Sequence, residues 1–397
     1  MKMWAWRLIL IFLVVFINVL EAQRDTLKLV TYNVLRFPSG NALKAPLLRP
    51  IINYLQPDIV GLNELTSSNA LDSLSKYVFN PNIFEHALWI EESELMGGVF
   101  YRKDKVKLAR QFSLATAPRR TNIYTFYSTN QDFTQHPDTV WLTCMLVHFK
   151  SSQGTSNEDL RAQQAADIRI YTNNRPVSNN YILMGDLNLY SADEPAWTNL
   201  TAEGNAKFYD PINRAGNWSN NIIYSDIHTQ SPRTASFDLG VTGGMDDRFD
   251  FILCTDAVLN GTYGMRIISE SYQAVGNDGN HFNQSILAPP ENLSVPDSVL
   301  TALHDFSDHL PVCADILFDT DAAQGLISQN RKESCLNSLT QFLQDPQYYN
   351  NIRFYTINGR LLHTSELTEL SFGTMIFAVG YNSDGTSITC SSKIIIK

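Results

Sequence analysis

The sequence predicts a mixed α/β fold in which β-sheets are covered by helices on their outer faces. Strand-like apolar runs alternate with helix-like segments in the first half of the chain. In the second half the strand-like runs follow one another more locally, which favours mixed sheets. With 397 residues, of which 44% are hydrophobic and 18% charged, the chain can bury a large core and hold more than one folding unit.

The first elements predict a strand, a helix and a second strand. Residues 27–32 are rich in apolar and β-branched side chains and are followed by turn-forming residues. Residues 46–56 have a helical spacing of apolar positions, and Pro57 ends the pattern. Pro50 fits only near the first turn of such a helix. Residues 58–62 are again apolar and predict the second strand.

Later segments continue the alternation of strands and helices. Apolar runs predict strands at residues 97–102, 139–149, 181–184, 249–254 and 312–318. Residues 157–171 predict a helix with acidic residues in its first turn, and another helix is expected at 194–200. Residues 276–298 are rich in Gly, Pro and Asn and are expected to form a loop.

The two ends of the chain differ from this central domain, which spans 27–318. Residues 1–23 combine two basic residues with a short apolar core, as in a secretory signal peptide; an uncleaved N-terminal anchor is the alternative. Residues 319–330 are small and polar and suit a linker. Residues 331–397 contain further strand patterns and a hairpin signal at Asn358 and Gly359, which predict a small all-β module. No later segment is long and apolar enough for a stable membrane span. Given the signal peptide, the mature protein is expected to be exported and soluble.

Charge and cysteine content exclude some classes of function. The formal net charge of -10 gives no support for a broad basic nucleic-acid surface, although a local basic patch is compatible with it. The five cysteines lack the close spacing of a zinc knuckle. Cys144, Cys254 and Cys313 lie in apolar runs and are expected to be buried thiols, whereas an oxidising compartment would allow Cys335 and Cys390 to pair.

Polar side chains fall where several strand-like runs end. They are Asn33, Glu64, His148, Asp186 with Asn188, Asp250, and Asp308 with His309. Sheets commonly place ligand sites at strand ends, so we expect these residues to converge. Asp186 and Asn188 are two positions apart and would face one pocket in an extended chain. The oxygen donors suit Mg²⁺, Mn²⁺ or Ca²⁺, and the two histidines suit proton transfer.

Each of these residues also has an ordinary structural explanation. Asn33 is of a type that caps turns, and Glu64 is of a type that is usually solvated. His148 is compatible with a satisfied core or surface histidine, and Asp250 with an ion pair to Arg248. A coincidence of all these explanations in this order is less plausible than one shared site.

The full set, in this order, closely resembles the endonuclease/exonuclease/phosphatase superfamily. The resemblance covers about residues 27–318. It implies a four-layer sandwich of two packed mixed β-sheets flanked by helices, with the active site at one end. It also implies hydrolysis of a phosphoester that depends on a divalent metal, with Mg²⁺ as the expected cofactor and Mn²⁺ or Ca²⁺ as alternatives.

The resemblance also implies which residues bind the metal and the water. Glu64 matches the principal metal ligand, and Asn33 and Asp308 match residues near the metal. Asp186 and Asn188 match the pair that orients the nucleophilic water and the phosphate.

The remaining matches concern the phosphoryl group. His309 resembles the residue that contacts this group or acts as a base, with Asp250 as its orienting carboxylate. His148 matches the second histidine, and either Arg119 or Arg120 matches the arginine that binds phosphate. A carboxylate behind an imidazole fixes its tautomer, which agrees with this assignment.

The expected substrate is nucleic acid, cleaved by a secreted endonuclease. The signature stretches of inositol-polyphosphate phosphatases are replaced here by Leu189 and Tyr190 and by residues 247–250, which disfavours that subgroup. No exposed apolar hairpin of the sphingomyelinase kind is recognisable in the sequence. A phosphatase, a sphingomyelinase-type phosphodiesterase and a catalytically inactive binding module stay open as alternatives.

The C-terminal module is similar to the sorting domain of the type IX secretion system of Bacteroidetes. The similarity rests on residues 354–360, 372–374 and 392–397, although Thr374 and Met375 replace the usual continuation after Gly373. It implies that the type IX machinery is a partner and that the protein is secreted or bound to the cell surface of such a bacterium. A generic β-sandwich appendage is the alternative.

Overall fold

A computed structural model describes residues 25–38, 44–91, 95–129, 139–235 and 240–318, together with the backbone of short strands between 352 and 395. The predicted signal peptide, the linker at 319–330, the turn at Asn358 and Gly359, and Cys335 and Cys390 lie outside these residues. In the part of the chain that is described, none of the helices is both long and apolar enough to cross a bilayer.

Strands and helices alternate along the described domain. The strands are β1 (Asp25–Phe37), β2 (Ile59–Leu65), β3 (Phe84–His86), β4 (Met96–Arg102), β5 (Val106–Leu114), β6 (Thr121–Ser128), β7 (Leu142–His148), β8 (Tyr181–Asp186), β9 (Phe208–Tyr209), β10 (Asp250–Thr255), β11 (Met265–Ala274) and β12 (Val312–Phe318). The α-helices are α1 (Lys44–Leu55), α2 (Asn69–Tyr77), α3 (Thr155–Asn173), α4 (Pro195–Thr201), α5 (Asp256–Asn260) and α6 (Asp297–Phe306). Short 3₁₀ helices span Val177–Asn179 and Ile222–Ile227.

The strands form two mixed sheets. The first has the spatial order β11-β12-β1-β2-β4-β3, and the second has the order β5-β6-β7-β8-β10-β9. At the centre of each sheet lies one parallel pair, β1 with β2 and β7 with β8, and the strands on either side of each pair run antiparallel to it. Helix α1 connects the first pair and α3 the second. The carboxyl ends of each pair therefore lie at one edge of its sheet.

Three hydrophobic layers separate the sheets and helices into a four-layer sandwich. Leu29, Leu146 and Met184 belong to the layer between the two sheets. The outer layers lie between the first sheet and α1, α2 and α6, and between the second sheet and α3 and α4. The sheets pack closely at Gly61, where an added Cβ would lie 2.8 Å from Leu146 Cδ1. The fold is thus the four-layer α/β sandwich that the sequence indicated.

Helix α1 differs from the sequence-based expectation at its proline. It begins at Lys44, so Pro50 lies inside the helix and not in its first turn. Proline removes one backbone hydrogen bond there. The buried face of Leu48, Ile51 and Ile52 packs into the outer core and stabilises the helix despite this loss.

Several elements were not anticipated from the sequence, and two of them, β5 and β11, have a weak apolar pattern. Strand β5 has exposed or half-buried residues at most positions, and β11 contains a register shift between Ile268 and Gln273. Helix α6 follows the predicted loop directly. The other predicted strands and helices are confirmed within a few residues, and the three cysteines predicted to be buried are free and buried.

The C-terminal region contains the strands β13 (Ile352–Thr356), β14 (Leu361–Leu362), β15 (Met375–Tyr381), β16 (Ser387–Ile388) and β17 (Ile394–Ile395). They form an antiparallel sheet in which β13 pairs with both β14 and β15. These strands agree with the β patterns in the sequence of this region.

Arg248 is expected to be a main determinant of stability. Its guanidinium bonds both carboxylate oxygens of Asp210, at 2.8 and 2.9 Å, and the Tyr272 hydroxyl. Both ion-pair partners are almost fully buried, so Arg248→Ala leaves an unpaired carboxylate inside the protein. We expect urea denaturation to show a loss of about 3–5 kcal/mol in the free energy of unfolding. The exposed bidentate pair of Arg214 and Asp226 is the matched control, because Arg214→Ala should cost less than about 1 kcal/mol. Equal losses in both variants would contradict this assignment.

Candidate active site

Four of the predicted site residues meet where the two central parallel pairs end. Asn33 and Glu64 lie on β1 and β2, and His148 and Asp186 end β7 and β8. The Asn33 amide donates to Glu64 Oε1 at 3.2 Å and to Asp186 Oδ2 at 3.1 Å. His148 Nε2 lies 3.7 Å from Glu64 Oε1 and 3.6 Å from Asp186 Oδ2. The packing of the two sheets therefore brings the four side chains together at one edge of the sandwich.

Glu64 has an unusual backbone conformation for a residue in a strand. Its φ of 66° is left-handed, and the pairing of β2 shifts register on both sides of this position. A non-glycine residue in this region carries a cost of about 1–2 kcal/mol. The distortion directs the carboxylate toward Asn33 and His148, and the Arg36 backbone amide donates to its second oxygen at 3.0 Å.

Gly185 determines how Asp186 enters the site. Its φ of 139° is rarely adopted by other residues, and an added Cβ would collide with the carbonyl oxygen of Val147.

Burial raises the pKa of Asp186 to about 7, and the negative charges of Asp250 and Glu64 contribute to this rise. The charge of His309 and the hydrogen bond from Asn33 lower the pKa and offset part of the rise. Asp186 can therefore exchange a proton near neutral pH.

His309 forms a short hydrogen-bonded pair with Asp250. His309 Nδ1 lies 2.7 Å from Asp250 Oδ2, and Nε2 lies 3.9 Å from Asp186 Oδ2. Burial alone would lower the pKa of His309, but the charges of Asp250, Asp308 and Asp186 and the Asp250 hydrogen bond raise it well above its ordinary value. The carboxylates around the ring therefore favour its charged, imidazolium form. Ser307 Oγ supports this turn by accepting from His309 N and donating to Asn33 O.

The alternative explanation of Asp250 as the ion-pair partner of Arg248 is wrong, because Arg248 binds Asp210 instead.

His148 differs from His309 in its favoured charge state. Burial lowers the pKa of His148 well below its ordinary value, and the positive charges of Arg119 and His309 act in the same direction. His148 is therefore neutral, so the site combines one neutral and one charged imidazole.

Asp308 follows the same turn but is tied to a different loop. Its Oδ2 accepts from Val241 N at 2.7 Å, and its Oδ1 is buried without a hydrogen-bond partner among the described residues. Gly240 permits a close approach here, since an added Cβ would clash with the Arg233 guanidinium and with the Asp308 side chain. Asp308 thus combines a structural contact with one oxygen that is available to a ligand.

Asn188 does not continue the β8 strand, so the expectation based on an alternating extended chain is wrong. The strand ends at Asp186, and Asn188 has a φ of 49°. Its backbone amide donates to Asp186 Oδ1 at 2.9 Å, and its side chain donates to Phe149 O at 3.2 Å. Asn188 therefore adjoins the site through a turn that also restrains Asp186.

The structure separates the two candidate arginines. Arg119 is half-buried, and its Nη1 donates at 2.6 Å to Phe149 O, the carbonyl that Asn188 also contacts. Arg120 is exposed and bonds the hydroxyl and carbonyl of Ser113 on β5. Arg119 is consequently the one that adjoins the cluster.

Two residues at the site were missed by the sequence analysis, Thr229 and Gln230. Thr229 Oγ1 accepts from the backbone amides of Phe249 and Asp250. The Gln230 amide nitrogen lies 2.7 Å from His309 Nε2. Both residues lie in irregular structure between a 3₁₀ helix and β10, where no apolar run or short motif marks them.

The donor set fits a hard divalent cation. Glu64 and Asp186 direct carboxylate oxygens toward the same point, and Asp308 has a buried oxygen without a hydrogen-bond partner in the described chain. Among the described residues no three His, Cys, Asp or Glu side chains form a complete ion-binding group. Mg²⁺ typically keeps several waters and uses one or two carboxylates. Such a cation would also offset repulsion between the clustered carboxylates.

Asp186 should make the stability of the cation-free protein depend on pH. Its pKa of about 7 in the folded protein exceeds the ordinary value near 3.8, so the folded state binds a proton more tightly than the unfolded chain. The free energy of unfolding should therefore fall as pH rises from about 4 to 7, by on the order of 4 kcal/mol relative to Asp186→Asn. Urea denaturation of both proteins in EDTA measures this difference. A difference that stays constant between pH 4 and 7 would contradict the raised pKa.

A model of a family described as "Endonuclease/Exonuclease/phosphatase family" matches residues 30–309, a span that includes every site residue discussed above. No curated protein sequence matches the chain.

Solved structures with similar folds include TDP2 from D. rerio humanized by 14 mutations, with 16% sequence identity and a TM-score of 0.49, covering 73% of this chain and 98% of that one. The mannosyl-6-phosphatase Bt3783 from Bacteroides thetaiotaomicron has 14% identity and a TM-score of 0.45, covering 74% and 100%. The catalytic domain of human Nocturnin has 13% identity and a TM-score of 0.44, covering 75% and 98%.

Proposed function

The chain belongs to the Endonuclease/Exonuclease/phosphatase family, and from this we propose that it is a divalent-cation-dependent endonuclease that hydrolyses phosphodiester bonds of nucleic acid. Endonucleases, exonucleases and phosphatases all hydrolyse phosphoester bonds, so membership assigns the chain to the phosphoester hydrolases. The cation and the nucleic acid are the steps beyond that assignment.

One observation carries the proposal. The buried His309–Asp250 pair lies beside Asp186, which in turn adjoins the cluster of Glu64, Asn33 and His148. An imidazole held by a carboxylate, a buried carboxylate with a raised pKa and a group of oxygen ligands thus share one edge of the sandwich. This combination suits attack on a phosphoester, whose anionic oxygens otherwise repel the nucleophile.

The oxygen ligands would hold the cation. We assign Glu64 as its principal ligand, with Asn33 and Asp308 contributing to the site. A bound divalent cation would act as a Lewis acid that neutralises negative charge developing on the phosphoryl group.

The protein's own residues would position the reactants and move the proton. The His309 imidazolium, held by Asp250, offers its Nε2 proton to a phosphoryl or leaving-group oxygen. The Asp186 carboxylate can accept a proton from the attacking water, and the Asn188 backbone amide fixes this carboxylate through a 2.9 Å hydrogen bond. The neutral His148 lies 3.6 Å from the same carboxylate, at the end of the neighbouring parallel strand β7.

Basic side chains at the rim support a polyanionic substrate despite the net charge of -10. Arg119 adjoins the site. Arg36 is exposed, and its own backbone amide donates to the Glu64 carboxylate. Two local cations and a bound metal would attract phosphate groups without a broad basic surface. Arg119 is therefore our choice for the phosphate-binding arginine.

A substrate panel tests the proposal directly. The purified protein would be incubated with Mg²⁺ or EDTA and with plasmid DNA, RNA, sugar and inositol phosphates, and sphingomyelin. Nicking of the plasmid only when Mg²⁺ is present is the expected result. Release of inorganic phosphate from the sugar or inositol phosphates would replace the endonuclease by a phosphatase, and cleavage of sphingomyelin would indicate the phospholipid diesterase. No cleavage of any substrate, with Mg²⁺ bound, would favour a binding module.

We also propose that the protein is exported, with residues 1–23 as signal peptide and residues 331–397 as a sorting module that engages type IX secretion machinery. The apolar N-terminal run and the motif of the last strands support this proposal. Expression in a host with that machinery tests it, because deletion of 331–397 should retain the protein inside the cell envelope. Unchanged release of the deletion variant would contradict the sorting role.

A further inference from the structure

Gln230 contacts the nitrogen of His309 that faces the reaction. Asp250 binds Nδ1 of the ring, so Nε2 is the atom left for a substrate. The Gln230 amide nitrogen lies 2.7 Å from Nε2, which is closer than the 3.9 Å to Asp186 Oδ2. In the protein without substrate, the reactive nitrogen of His309 therefore already has a hydrogen-bond partner.

The position of Gln230 is fixed by its backbone. It forms isolated β-bridges both with Asp247 and with His309. The backbone amide of Gln230 donates to Asp247 O at 3.0 Å, and the backbone carbonyl of the preceding Thr229 accepts from Leu310 N at 2.7 Å. The Gln230 side chain is only 7% exposed. The contact with His309 is therefore held by backbone hydrogen bonds to the segments that precede β10 and β12.

The chemistry of the two groups limits what can bind at Nε2. An imidazole nitrogen either donates one hydrogen bond or accepts one, so Nε2 has room for a single close partner. A carboxamide can donate to a neutral ring and, after a half-turn of its terminal torsion, accept from a charged one. Gln230 thus suits either state of the ring. A phosphoryl oxygen that is to contact Nε2 must take the place of this amide.

We propose that Gln230 is a positioning residue that holds His309 in the substrate-free enzyme and is displaced from Nε2 by an oxygen of the substrate phosphate. This deepens the proposed function and rests on it. Displacement breaks one hydrogen bond on binding, and the anionic phosphate oxygen replaces it with a charge-assisted bond to the ring N–H. Groups that cannot accept a hydrogen bond would not displace the amide, so Gln230 also contributes selectivity for phosphate oxygens.

Two isosteric variants should shift ligand affinity in opposite directions. Gln230→Met keeps the length of the side chain but removes the competing hydrogen bond, so the KM of the substrate and the Kd of inorganic phosphate should fall about 5–10-fold. Gln230→Glu introduces a charged acceptor that holds the imidazolium and repels phosphate, so both constants should rise at least about 10-fold. The kcat of Gln230→Met should change less than about 3-fold, because the amide has left Nε2 before the chemical step.

Calorimetric titration of inorganic phosphate in the presence of Mg²⁺ measures these affinities, and ¹⁵N NMR of the imidazole groups reports on His309 Nε2. The Nε2 signal should shift in Gln230→Met. The matched control is Gln111→Met on the edge strand β5, which loses two hydrogen bonds to the Leu88 backbone and should leave both the Nε2 signal and the Kd unchanged. Equal or same-direction changes of Kd in the Met and Glu variants, or an unshifted Nε2 signal, would overturn the inference. Opposite shifts in a protein that cleaves no phosphoester would uphold the role of Gln230 and reject the proposed hydrolysis.

Discussion

Replacing His309 with alanine is expected to lower phosphodiester cleavage by ~10²–10⁴-fold, counted per folded molecule. The variant removes the imidazolium that Asp250 holds at 2.7 Å and that faces Asp186. It also leaves Asp250 buried without its partner, so some stability is lost. Rates should therefore be measured well below the melting temperature, with the folded fraction followed by circular dichroism.

A second buried histidine supplies the matched control for this loss. His281 Nδ1 lies 2.7 Å from Asp278 Oδ1, a pair with the same distance as His309 and Asp250, in the loop before α6. His281→Ala should likewise reduce stability but keep the cleavage rate of the folded protein within a few-fold of the parent. Comparable rate losses in both variants would show that destabilisation, and not lost chemistry, explains the effect of His309→Ala.

Replacing Glu64 with glutamine should produce a rate loss of similar size, ~10²–10⁴-fold, for a different reason. The substitution keeps the shape of the side chain but removes the charge assigned to the principal cation ligand, so transition-state charge is no longer offset. The concentration of Mg²⁺ required for half-maximal activity should rise as well. Metal titrations of cleavage, combined with calorimetry of Mg²⁺ binding, measure both effects.

Glu85→Gln is the control for this substitution, because Glu85 lies on the outermost strand of the same sheet. It should change neither the rate nor the Mg²⁺ requirement. Glu64→Gly adds a test of the backbone: since φ at this position is 66°, glycine should unfold at a temperature no lower than the parent while being inactive. Normal Mg²⁺ affinity in Glu64→Gln would refute its assignment as the ligand.

The sequence predicted the convergence of Asn33, Glu64, His148 and Asp186 because each of them closes an apolar run, although β1 continues past Asn33 to Phe37. Both parallel pairs expose their carboxyl ends at one edge, so an apolar run followed by a polar residue carries real information on location. The four-layer arrangement followed from the resemblance of the whole set. Neither the strand bounds nor the layers required any knowledge of individual contacts.

What the sequence could not predict depends on contacts between distant loops. Gln230 reaches His309 through bridges to two other segments, and Asn188 leaves the strand through a left-handed residue. The choice between Arg119 and Arg120 depends on the direction of each side chain in the β5–β6 turn: Arg119 points to Phe149 and Arg120 to Ser113. Pro50 is accommodated within α1 by tertiary packing that overrides local propensity. Such features have no periodic pattern in the chain.

The distribution of the site over both sheets has a consequence for how the enzyme matures. The hydrogen bond between Asn33 and Asp186 joins residues 153 positions apart, and that between Ser307 and Asn33 joins residues 274 positions apart. Contacts of such long sequence separation form late in folding, because much of the chain must be ordered before they can close. Either half of the sandwich, folded alone, would lack part of the catalytic group. Hydrolytic activity can therefore arise only after the two sheets have docked, and it reports on the completed fold.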